Sequence, residues 1–200
     1  RIRSRLPGSD RAYVKIDGPF DYKGWIEGLR VGRSFVTNGP MLELSVDEKG
    51  LGETIQLPAA RAVRVVARAT SQFRLEKVEL VSNGQVIVEA QISQDGLEAA
   101  IDRMIPLDRS GWVALRCSGP ANPDHTASEV YAHTSPVYIE VKGKPVVAEA
   151  DAKFFLAWID RLAAAIRQRD RIPSPELKAH VEAQIAAARS IYQKLVEAGN

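Results

Sequence analysis

The sequence predicts a mainly β protein: an antiparallel immunoglobulin-like β-sandwich with a short N-terminal helix and a C-terminal α-helical hairpin. Three features carry this reading. From Arg33 to about Lys142, apolar and polar residues alternate with a period of two, the mark of strands that bury one face. Within that region Asn83-Gly84 forms a two-residue hairpin signal, because both central residues of a type I′ turn need positive φ. After Pro145 the apolar spacing changes to the helical period. No helical stretch separates the strands, so the crossovers of a parallel sheet are missing and antiparallel pairing follows.

Along the chain, Ala12–Ile16 reads as a short extended piece. Asp21 is placed to cap a helix on which Tyr22, Trp25, Ile26 and Leu29 fall on one face, and Gly32 stands where a glycine ends it. Gly24 and Gly28 weaken that helix by about 1 kcal/mol each relative to alanine, so it depends on tertiary packing. The segment Arg33–Pro40 joins helix to strand through a turn in which Asn38-Gly39 supplies positive φ. Strands are then expected around Leu42–Val46, Val63–Ala69, Val78–Leu80, Gln85–Val88, Leu97–Ile101, Trp112–Cys117 and Pro136–Val141. Gly119–Pro136 reads as a long loop. Asp151 is the expected cap of the next helix, with Phe155, Trp158, Ile159, Leu162 and Ile166 as its inward stripe. Ser174 and Pro175 open the last helix, with Leu177, Val181, Ile185, Ala188, Tyr192 and Leu195 inward. The short break between the two helices makes them antiparallel neighbours.

Bulk composition excludes several functions. Twenty-seven basic residues against 25 acidic ones leave a net charge of +2, with the two signs interleaved, which argues against a nucleic-acid partner. No apolar run reaches the ~20 residues of a membrane-spanning helix, so no membrane insertion is expected. The single cysteine, Cys117, excludes an internal disulfide and a cysteine-based zinc site. It ends an apolar strand and reads as a small buried hydrophobe. The start Arg1-Ile2-Arg3-Ser4 resembles a cut inside a longer protein.

Residues able to carry chemistry are few. His180 falls on the polar face of the last helix. His125 and His133 share the long loop with Asp124, so a loop site at Asp124, His125 and His133 is one reading, and a solvated connection with local hydrogen bonds is the plainer one. No nucleophile elbow, phosphate loop or dinucleotide fingerprint is present. Trp25, Trp112 and Trp158 each fit an expected buried face.

The run Trp25-Ile26-Glu27-Gly28-Leu29-Arg30-Val31-Gly32-Arg33-Ser34-Phe35-Val36-Thr37-Asn38-Gly39-Pro40 closely resembles a segment of the CehA/McbA-like metallohydrolases, members of the PHP (polymerase and histidinol phosphatase) superfamily. Ala132-His133-Thr134-Ser135-Pro136-Val137-Tyr138 looks like a second signature of that group. Asp151, Phe155, Trp158-Ile159-Asp160, Ala188-Arg189 and Tyr192 are similar to its C-terminal helices. The resemblance implies a catalytic domain upstream whose His, Asp and Glu motifs hold a divalent metal. None of those motifs occurs here, so no catalytic or metal-binding residue carries over and no cofactor is expected in this chain.

It further implies that residues 1–40 are the tail of the PHP-like domain with a junction helix, 41–145 the sandwich, and 146–200 a helical hairpin packed on it. Trp25, Arg33 and Asn38 would mark the domain junction. The expected function is a non-catalytic accessory module whose partner is its own catalytic domain. Removal of that domain would leave an apolar patch around the first helix, open to self-association. Relatives that are exported imply an extracytoplasmic home. A carbohydrate- or peptide-binding sandwich and an independent enzyme with the loop site stay as alternatives.

Overall fold

The computed structural model describes residues 7–121, 129–144, 146 and 148–198. The chain divides into two compact units, Arg1–Val146 and Val147–Asn200. The first contains two mostly antiparallel sheets and the second a pair of helices.

The smaller sheet is formed by β3 (Met41–Val46), β5 (Arg61–Thr70) and β8 (Glu98–Leu107), with β5 central. The larger sheet is organised around β9 (Gly111–Gly119). One edge of β9 pairs with β6 (Lys77–Ser82), which continues into β7 (Gln85–Glu89). The other edge is shared by β10 (Val130–Thr134) and β11 (Val137–Val141), between which the chain shifts at Ser135-Pro136. From there the sheet branches. β10 pairs with β2 (Ser34–Thr37) and β2 with β1 (Arg11–Val14), while β11 runs parallel to β4 (Thr54–Leu57).

Alternation explains why these segments are strands and which way they face. Leu42, Leu44 and Val46, Val63 and Val65, Val78 and Leu80, Val113 and Leu115, and Val137 and Ile139 all point into one cluster between the sheets and are nearly or fully buried. The residues between them carry the charge of the outer faces, where Arg64 pairs with Asp102 and Arg116 with Glu79. Asn83 and Gly84 adopt φ of 48° and 81°, as the hairpin requires, and Asn83 Oδ1 accepts the Trp112 amide at 3.0 Å.

Before the sheets comes α1 (Tyr22–Arg30). Asp21 caps it, accepting the Gly24 amide at 2.6 Å. Its end is a complete Schellman motif. Gly32, at φ 77°, donates to Leu29 O, and Arg33 donates to Gly28 O. Contrary to the turn expected from Asn38-Gly39, neither residue adopts positive φ; Thr37 Oγ1 organises the bend instead, accepting the Gly39 amide and donating to Pro40 O. β10 lies inside the segment expected to be a loop, and β2 and β4 are further strands beyond those expected.

The second unit contains α2 (Glu149–Arg169) and α3 (Pro175–Ala198). At 21 and 24 residues they make the chain more helical than a mainly β reading implies. Asp170, in the left-handed region at φ 42°, ends α2. The N-cap position of α2 is Ala148, and Asp151 lies in its first turn, one correction to the expected boundary. The helices meet along Ala152, Leu156, Ile159, Ala163 and Ile166 on α2 and Val181, Ile185, Ala188, Tyr192 and Val196 on α3, the more sheltered positions of each. This corrects the expected inward face: Trp158 and Leu162 are exposed, as are Leu177 and Leu195, whereas Phe155, though partly exposed, stacks on Tyr192 of the neighbouring helix. The small Ala152 and Ala163 sit at the seam because they let the backbones approach, and both are buried.

Candidate functional site

Two features adjoin β1: α1, whose inner side rests on it, and a groove that it helps to line. α1 approaches the sheet through Gly28. A β-carbon there would stand 2.5 Å from Val14 Cγ1 and 3.0 Å from Lys15 O, so the helix backbone rests on the Val14 side chain with no side chain of its own at the contact. The close approach leaves the opposite, apolar side without cover. Tyr22, Ile26 and Leu29 are exposed along the helix, Phe20 precedes them at 74% exposure, and Trp25 is half-buried at the margin. The helix terminus is fixed from the other side by the turn before β4, since Gly52 packs its backbone against Val31 and Gly32.

The groove has a volume of about 660 Å³. Leu42, Leu44 and Leu51 form its apolar wall, with Tyr13 and Phe35 beside them. These two rings face each other across the β1–β2 ladder and stack with centroids 5.2 Å apart and planes 7° apart. Charged groups of both signs line the rest. Arg33 Nη1 donates to Asp17 Oδ2 at 2.8 Å, so each neutralises the other. Glu53 accepts the Gly50 amide at 2.7 Å and pairs with Lys49, and that amide, aided by Lys49 and Arg33, holds its carboxyl below the ordinary carboxylate range. Lys15, just after β1, and Glu43 of β3 line the same groove.

The residues expected to mark a junction are separated by this geometry. Trp25 and Arg33 border the α1 side and the groove. Asn38 is fully buried and serves the sheet. Its Nδ2 donates to Glu129 O at 2.6 Å and its Oδ1 accepts the Tyr131 amide at 2.8 Å, extending the β2–β10 ladder by one step. Of the loop site, Asp124 and His125 lie outside the described residues. His133 is on β10, exposed, with Val36 and Arg116 as its strand partners. Among the described residues no three His, Cys, Asp or Glu side chains are grouped so as to hold a metal ion. His180 is exposed on α3.

Sequence reasoning missed the groove. Tyr13 and Phe35 become neighbours only through the β1–β2 register, and β2 carries no alternating apolar pattern to announce it. No protein-family model matches the chain, and no characterised protein or solved structure matches it.

Proposed function

We propose that this chain is a non-catalytic accessory module that docks, through the outer face of α1 and the β1 side of the groove, onto the metal-binding catalytic domain of a PHP-type hydrolase. One observation carries the reading: Tyr22, Ile26 and Leu29, with Phe20 just before them, stand open on a helix whose other side is pressed onto β1. Such a patch is costly in water and marks an interaction site. It lies in the stretch whose sequence resembles the CehA/McbA-like metallohydrolases, where the catalytic domain would adjoin. The framework is read as an immunoglobulin-like sandwich. The order β3-β5-β8 facing β7-β6-β9-β11-β4, with β4 parallel to β11, supports that assignment. The chain's part in hydrolysis is structural, and the divalent metal belongs to the partner domain.

The test is a binding measurement between this chain and a separately expressed PHP-type domain of a CehA/McbA-like metallohydrolase, with Ile26→Asp alongside. Association that Ile26→Asp weakens by about tenfold or more supports the reading. Tight stoichiometric uptake of zinc or manganese by this chain alone, or equal binding by both forms, counts decisively against it.

A second reading rests on the groove. Its stacked Tyr13–Phe35 pair and mixed charges suit a carbohydrate or peptide ligand. A glycan and peptide array, repeated with Tyr13→Ala, separates this from the docking role.

A further inference from the structure

We propose that the α2–α3 hairpin is a homodimer interface, in which two copies of this chain join their hairpins into a four-helix bundle. Considered by itself, the hairpin is unfinished. Among the described residues of the two helices only Ala152 and Ala163 are buried, so the pair meets along a single seam and encloses no core.

Its two flanks differ sharply. On one, Arg167 pairs with Glu182 and Arg189 with Asp160, tying the helices together at the solvent. At roughly 100° per residue, Phe154, Phe155, Trp158 and Leu162 project from the other flank of α2. Ile191 and Leu195 of antiparallel α3 project to that same flank. Phe154, Trp158 and Ile191 are exposed by 52, 53 and 60%. The ring cluster is already ordered: Phe154 meets Phe155 and Trp158 edge-on with centroids 5.6 and 5.7 Å apart, and Phe155 stacks on Tyr192 at 5.1 Å. Little side-chain entropy is left to lose on association.

Size and charge point to a second copy as the occupant. The six residues expose on the order of 600 Å² of largely apolar surface, at the upper end of what a monomer leaves in one patch. Two copies together would bury about 1,200 Å², the lower bound for a specific interface. A two-helix layer stacked on its equivalent about a two-fold axis is a complete four-helix bundle. Asp151 and Arg169, both exposed, bracket the flank. They are 18 residues apart, five full turns, and therefore share one face. With α2 antiparallel to its counterpart, Asp151 of each copy falls opposite Arg169 of the other, while the apolar residues meet at the centre.

Sedimentation velocity on the full chain, from low to high micromolar concentration, tests this. A concentration-dependent dimer is expected. Trp158→Glu should leave a monomer with unchanged helical circular dichroism, and Ile191→Lys takes its place if that signal falls. Asp151→Arg should weaken the dimer by about tenfold and the exchange Asp151→Arg with Arg169→Asp should restore it. Ile26→Asp, on the separate α1 face, should leave it intact. A wild-type chain that stays monomeric overturns the proposal, as does a dimer that Ile26→Asp dissolves and Trp158→Glu does not.

Discussion

Gly32 and Gly52 meet backbone to backbone: a β-carbon on Gly32 would lie 3.3 Å from the Gly52 Cα, and one on Gly52 would overlap the Val31 carbonyl oxygen. Both adopt positive φ, 77° and 78°. This contact, distant in sequence, fixes the end of α1 against the turn that leads into β4. Gly52→Ala combines left-handed strain with a collision against backbone that cannot rotate away, and is expected to destabilise the first unit by about 3 kcal/mol. Gly84→Ala is the control. Its φ is 81° with open space around it, so only the conformational cost, about 1 kcal/mol, applies. Urea denaturation of both variants gives the comparison, and equal losses would show that the close approach contributes nothing.

The two glycines inside α1 are expected to respond in opposite directions. A β-carbon at Gly24 would meet Asp21 Oδ1 at 3.4 Å, an ordinary contact, so Gly24→Ala should gain about 0.5–1 kcal/mol of helix stability. Gly28→Ala gains the same propensity but drives a methyl into Val14 and the Lys15 carbonyl, and should be neutral or destabilising. Amide hydrogen exchange across 22–30 reads the difference directly. Increased protection in both variants would contradict the packing described for α1 on β1.

Asn38→Ala removes a side chain that satisfies two backbone groups of the neighbouring strand. Glu129 O loses a donor and the Tyr131 amide an acceptor, both beside a fully buried position. The expected loss is on the order of 3 kcal/mol. Thermal unfolding measures it, and a change within error would mean that water replaces the amide without penalty.

What the sequence reveals and conceals follows from the range of each interaction. The β6–β7 hairpin was legible because Asn83-Gly84 states its own backbone geometry, and α1 because Asp21 and Gly32 state its ends. β2 was not legible. Ser34 and Thr37 are buried while Val36 is exposed, an inverted pattern stabilised by the Ser34–Ser135 hydroxyl pair and the Thr37–Pro40 hydrogen bond. β10 was concealed in a segment with only five residues of alternation, among them His133 and Thr134. The parallel β4–β11 pairing joins residues too far apart for any local pattern to announce. The helices of the hairpin were legible, but their facing sides were not. Each helix carries two adjacent apolar stripes, and periodicity alone does not tell which one faces the neighbour. The alanines decide it. As for the candidate site, the open face of α1 could be read from Tyr22, Ile26 and Leu29, whereas the groove depends on a strand register that no short-range signal encodes.

Cys117 offers a pH-dependent test of the core. Burial between the sheets pushes its thiol up to about 12 from an ordinary value of 9.0. At pH 8 the folded chain should therefore resist iodoacetamide and react stoichiometrically only once denatured. Linkage sets the sign of the stability effect. The native state retains its proton where the unfolded thiol has already lost it, so the contribution is complete below about pH 9 and declines as the pH rises towards 12. Cys117→Ala should remove that part of the alkaline decline while costing stability at neutral pH through the cavity it leaves. Fast labelling of the native protein at pH 8, at a rate matching a free thiol, would show that the strand does not hold this side chain inside.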